Sequence, residues 1–118
     1  MKNAYQDGRV LDITLAADVA SGGVISQGRM FGIAVTNGKN GDVVAAHVEG
    51  VFRLPKLGTA VITAGAALTW DVSASQVIVA SAATGDIENF GYAVEAAGSG
   101  STDVLVRLCP GTGVAKAA

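Results

Sequence analysis

Hydrophobic and polar residues alternate along most of this chain. The longest run, Val43 to Lys56, puts Val44, Ala46, Val48, Gly50, Phe52 and Leu54 on one face. His47, Glu49 and Arg53 fall on the other, with Val43, Ala45 and Val51 among them. A strand shows every second side chain to the same side, so this is the pattern of a sheet with one face packed and one face wet. The run reads as a single long strand that continues through Gly50 and stops at Pro55.

Shorter runs repeat the pattern. Arg9 to Leu15 sets Leu11, Ile13 and Leu15 against Val10, Asp12 and Thr14, and Arg29 to Thr36 forms a second strand. Asn37-Gly38 and Asn40-Gly41 mark the turn into the long strand, because both residue types tolerate positive φ. Thr59 to Thr63 is a short β-branched run. Ala67 to Val72 and Gln76 to Ala80 read as a hairpin around Ser73-Ala74-Ser75, and Asn89 to Ala96 pairs with Thr102 to Cys109. No segment keeps a helical period with caps. The expected fold is all-β, a small single-domain β-barrel or sandwich. An extended N-terminal arm (1–8) precedes the β-domain (9–109), and a flexible C-terminal tail (110–118) follows it.

Composition adds a second point. Of the 118 residues half are hydrophobic, yet only 5% are aromatic and most of the rest are Ala and Val. Small side chains bury little area each, so a thin core is expected, finished by contact with another subunit. The net charge is −2 and the eight Lys and Arg are scattered, which argues against nucleic acid as a partner. Met1-Lys2 leads into polar residues, so no export signal is expected. The longest uncharged stretch, Leu57 to Trp70, is too short and too rich in Gly, Thr and Ala to span a bilayer.

Catalytic chemistry finds little support. Cys109 is the only cysteine and His47 the only histidine, which excludes a disulfide and any paired Cys or His metal site. His47 with Asp42 or Asp71 could be imagined as part of a triad, but no G-x-S-x-G elbow accompanies it. Asp86 and Glu88 flank a Gly85 turn without the further oxygen ligands of a calcium loop. Neither Gly98-Ser99-Gly100-Ser101 nor Gly111 to Lys116 has the order of a phosphate-binding loop. No catalytic, metal or nucleotide site and no cofactor is expected. Trp70 reads as core filler, or as part of an aromatic platform with Tyr92 and Phe31 in a glycan-binding module.

Five blocks in order carry a resemblance over nearly the whole chain: "MKNAYQDG" (1–8), "GRMFGIAVTN" (28–37), "VEGVFRLPK" (48–56), "GAALTWDVSASQVIV" (65–79) and "GYAVEAAGSGSTDVLVRL" (91–108). Together they resemble the phage capsid cement, or head decoration, family, whose members often carry the label of a RecA/RadA-type recombinase. Arg53 stands where an acidic residue is common in that family, and Ala4 shifts the aromatic Tyr5 by one position. The recombinase label does not suit a chain without a nucleotide loop or a basic surface.

The resemblance implies a structural virion protein, made in the host cytoplasm, that binds the outer surface of the expanded capsid and stabilises it across capsomer junctions. Its partner is then the major capsid protein, and it acts as a homo-oligomer, a trimer before a dimer. The arm residues Met1, Lys2, Asn3, Ala4, Tyr5, Gln6, Asp7 and Gly8 are expected to add to a strand of the capsid protein. His47, Glu49, Val51, Arg53 and Trp70 are the candidates for the oligomer or capsid interface. The alternative is a β-barrel module for surface glycans displayed on the virion.

Overall fold

A computed structural model describes residues 8–79 and 82–117. The described chain is all-β and contains no helix. The first sheet holds β1 (Val10–Thr14), β2 (Val24–Gln27), β3 (Met30–Ala34) and β4 (Val43–His47) in the order β1-β4-β3-β2. The second holds β5 (Gly50–Pro55), β6 (Ala67–Asp71), β7 (Gln76–Ile78), β8 (Ile87–Ala93) and β9 (Asp103–Leu108) in the order β5-β9-β8-β6-β7. A short β10 (Val114–Ala115) also pairs with β8. Neighbouring strands within each sheet are antiparallel.

The run from Val43 to Lys56 is not one strand, which corrects the expectation. It breaks at Val48-Glu49, and its two halves belong to different sheets: β4 pairs with β1 and β3, whereas β5 pairs with β9. The cause is Gly50, at φ 125°, a conformation that side chains disfavour. The alternation survives the bend, since Val44, Ala46, Val48 and Leu54 are all buried. Strands that switch sheets at a bend are how two packed sheets share a corner.

Each sheet curls over its own core. Phe31, Leu54, Leu68, Trp70, Phe90, Val106 and their neighbours fill the larger one, and Phe31 stacks on Phe90 at 4.4 Å between ring centroids. Ile13, Leu15, Ile25, Ala34, Val44 and Ala46 fill the smaller. β3 serves both, because Phe31 and Ile33 face the larger core while Ala34 faces the smaller.

Neither sheet closes by strand pairing, so the arrangement is a sandwich of two sheets rather than a barrel. The edges of β5 and β7 touch at one parallel bridge, Lys56 to Val77. The edges of β1 and β2 are joined by a side chain. Gln27 Nε2 donates to the Thr14 carbonyl at 3.0 Å, and Gln27 Oε1 accepts from the Ala16 N–H at 3.0 Å. Its amide takes the place of a strand peptide across the gap.

Two strands were not anticipated, β2 and β10. β10 belongs to the segment read as a flexible tail, and it lies on β8 with Val114 opposite Glu88. Conversely, Thr59 to Thr63 forms no strand and contributes only the bridge from Ile62 to Ala97.

Candidate interaction surface

Strands β5, β9 and β8 lie side by side, and their inward residues are spent on the larger core. The register therefore dictates what the opposite face displays. Val51 of β5 lies opposite Arg107 of β9, and Arg107 lies opposite Tyr92 of β8. One step along, Arg53 lies opposite Leu105, and the Val94 N–H donates to the Leu105 carbonyl at 2.9 Å. Val51, Tyr92 and Val94 are 52%, 43% and 43% exposed. They form an apolar centre with the partly exposed Leu105.

Charge is interleaved with those residues, since Arg107 lies between Val51 and Tyr92, and both arginines of the face have carboxylate partners. Arg53 Nη1 meets Asp103 Oδ1 at 3.0 Å, with both side chains about half exposed. Arg107 Nη2 lies 3.9 Å from Glu49 Oε1. Exposed Val, Leu and Tyr side chains interleaved with Arg give this face residue types common at protein-binding surfaces. Single exposed apolar residues are ordinary; three on adjacent strands, with Val94 just past the end of β8, are a patch.

Three of the candidate residues come together here: Glu49, Val51 and Arg53. The other two do not. Trp70 is only 6% exposed, because alternation on β6 points Leu68 and Trp70 inward, so it is a core residue rather than a contact residue. His47 is half-buried at the end of β4, its ring 5.7 Å from that of Phe52 on the inward side of β5. The arm residues 1–7 lie outside the described residues, and Gly8 sits in an exposed turn. Val94, Leu105 and Arg107 were missed, and Tyr92 was considered only for the glycan platform. The available signal was the apolar Leu105 on the charged side of an alternating run.

The geometry offers nothing to an enzyme mechanism built on His47. Asp42 and His47 bracket β4, about 17 Å apart at the rise of a strand. Asp71 Oδ1 accepts from Ser73 N, Ser73 Oγ and Ala74 N at 3.1, 2.8 and 3.2 Å. These bonds, the Ser73 hydroxyl first, hold the Asp71 carboxyl below its ordinary range. Asp86 is buried and consumed by its own turn, accepting from Val72 N and Ala83 N at 3.2 and 2.9 Å. Among the described residues no three His, Cys, Asp or Glu side chains gather as a metal site would need. A cleft of about 500 Å³ opens between the two sheets beside Leu15, Val24, Leu54 and Trp70, and Asp18 and Arg53 are its only charged lining residues.

A glycan platform of Trp70, Tyr92 and Phe31 is also ruled out by placement. Trp70 and Phe31 pack against each other inside the larger core at 6.0 Å between centroids, and only Tyr92 reaches the surface.

The fold and its surface define a small two-sheet β-domain with an exposed apolar face, and its described residues gather no metal-binding cluster. The chain belongs to the phage cement protein family, whose pattern it matches over residues 5–108. That match spans both sheets, and it makes the chain a structural, capsid-associated protein of the virion. No curated protein matches the chain.

Proposed function

We propose that this protein clips the outside of the expanded capsid, binding the major capsid protein across junctions between capsomers. The observation that carries this reading is the apolar face of Val51, Tyr92, Val94 and Leu105 with its charges neutralised in place. A ligand that binds only the mature lattice stabilises it by mass action, by RT ln(1 + [L]/Kd) per site. Trimerisation lets several modest contacts act together through effective concentration. The arm from Met1 to Gly8 adds to this as a strand on a capsid-protein sheet edge.

Co-sedimentation with expanded, undecorated capsids and with unexpanded procapsids tests the proposal. The expected result is saturable binding to the expanded shell alone. A Val51→Asp, Tyr92→Asp double variant should fold and lose that binding, and deleting residues 2–8 should weaken capsid binding while leaving the oligomer intact. Equal binding to both shells, or to neither, would overturn the reading.

A further inference from the structure

Two Asn-Gly pairs lie beside the smaller sheet: Asn37-Gly38, where Gly38 forms a β-bridge with Val19, and Asn40-Gly41, which forms a turn. In a free chain Asn-Gly loses its side-chain amide readily. The glycine nitrogen attacks the asparagine Cγ, a C–N bond forms, and ammonia leaves. Water then opens the cyclic imide at either carbonyl, giving aspartate or isoaspartate. The first step needs a glycine nitrogen free to give up its proton and a backbone free to rotate.

Neither condition is met here. The Gly38 N–H donates to the Val19 carbonyl at 2.9 Å, and the Val19 N–H donates back to Gly38 at 2.9 Å. The Gly41 N–H donates to the Leu15 carbonyl at 2.8 Å. Asn37 Oδ1 accepts from the Ser21 N–H at 2.7 Å, and the Asn40 N–H donates to Asp18 Oδ1 at 2.8 Å. There is no slack around Gly38 either, where a Cβ would come within 2.6 Å of Val44 Cγ1 and 2.7 Å of Leu15 Cδ1. Every one of these polar restraints comes from one stretch, residues 15–21, laid across the two pairs.

We propose that residues 15–21 form a clasp over a latent modification site, so that Asn37 and Asn40 deamidate only when the clasp opens. Asn40 converts first, because its side chain makes no hydrogen bond among the described residues whereas that of Asn37 is held by Ser21. Local opening of this kind costs less than global unfolding, so it sets the pace. The isoaspartate product inserts an extra backbone carbon into the turn, which cannot rebuild the Leu15 and Val19 bonds. The first conversion therefore loosens the clasp and exposes the second site. This inference stands apart from the capsid reading.

The test is to hold the full-length protein at neutral pH and physiological temperature and follow amide-to-acid conversion at each asparagine by peptide mass spectrometry. The chain unfolded in guanidinium chloride gives the unprotected rate, and Asn89, which precedes Phe90, is the internal reference. Conversion at both Asn-Gly pairs should be slower in the native protein by about tenfold or more. Asp18→Ala should accelerate Asn40. Ser21→Ala, which loses the 2.9 Å bond from Ser21 Oγ to the Val35 carbonyl, should accelerate Asn37. Thermal melting confirms that each variant is folded, and acceleration by either folded variant supports the clasp. Native conversion at the unfolded rate, or no acceleration in either folded variant, would overturn it.

Discussion

Lys56 is the residue whose loss should tell most about this fold. It is 4% exposed, an unusual burial for an ammonium group, and it donates only to backbone carbonyls. Lys56 Nζ lies 2.8 Å from the Leu57 oxygen, 2.9 Å from that of Ser101 and 3.4 Å from that of Gly58. It therefore ties the end of β5 to the loop that leads into β9, and so helps seat Asp103 beside Arg53. Lys56→Met keeps most of the stem and removes the charge. Two good bonds from a charged donor contribute about 1.5–3 kcal/mol each, or about 3–6 kcal/mol together. The ammonium's own desolvation, which Met avoids, offsets part of that. Leu57 and Ser101 are exposed, so water can reach the freed carbonyls. A net loss of about 2–3 kcal/mol is expected, read by urea unfolding as a lower midpoint at unchanged m-value. Lys56→Ala should cost more, at about 0.8 kcal/mol for each buried methylene removed. A Lys56→Met variant within about 0.5 kcal/mol of wild type, the range of an ordinary surface change, would refute the reasoning.

Two further predictions test other joints. Gly91→Ala would place a Cβ 2.4 Å from the Arg107 carbonyl oxygen, so β8 and β9 must separate. The expected cost is about 1–3 kcal/mol, measured by thermal melting, with loss of capsid binding because Tyr92 and Arg107 sit on those strands. The Asp71 carboxyl, lowered by its bonds to Ser73 and Ala74, stabilises the β6–β7 turn above its unfolded pKa. That support should fade as pH falls through the folded value, speeding amide exchange at Ser73 and Ala74, and Asp71→Asn should abolish the pH dependence.

How far the architecture was legible follows from which physical signals are local. Alternation in Val43 to Lys56 correctly assigned its buried and exposed sides, because side-chain direction depends only on the strand's own backbone. That the run crosses between sheets at Gly50 was not legible, since a glycine in an alternating run equally fits a continuous strand. β2 escaped notice because Val24–Gln27 is bounded by glycines and shows only two apolar residues. The binding face was half legible for the same reason. Glu49, Val51 and Arg53 come from one segment, but their grouping with Tyr92, Val94 and Leu105 depends on cross-strand register over some fifty residues of separation. Lys56 falls on the inward side of the Val43 to Lys56 alternation, but what compensates its burial was not legible, as its acceptors are carbonyls, which every residue carries.

The division into two small cores bears on what the protein does. The smaller core holds only aliphatic side chains, and it joins the larger through β3 and the bend at Gly50. Such a domain gains little by burying more of itself, because its Ala and Val side chains offer little area. Part of its remaining apolar area lies outside, on the strands that cover the larger core. Val51 and Tyr92 are held on paired strands, which under the proposed reading keeps the ordering cost of binding low. Because Arg53 and Arg107 already have carboxylate partners, covering the patch strands no lone charge, the largest penalty such an interface could incur. A patch this small gives modest affinity for one copy. If this patch meets the capsid as proposed, its strength there comes from repetition, with many equivalent sites on a lattice each contributing a little.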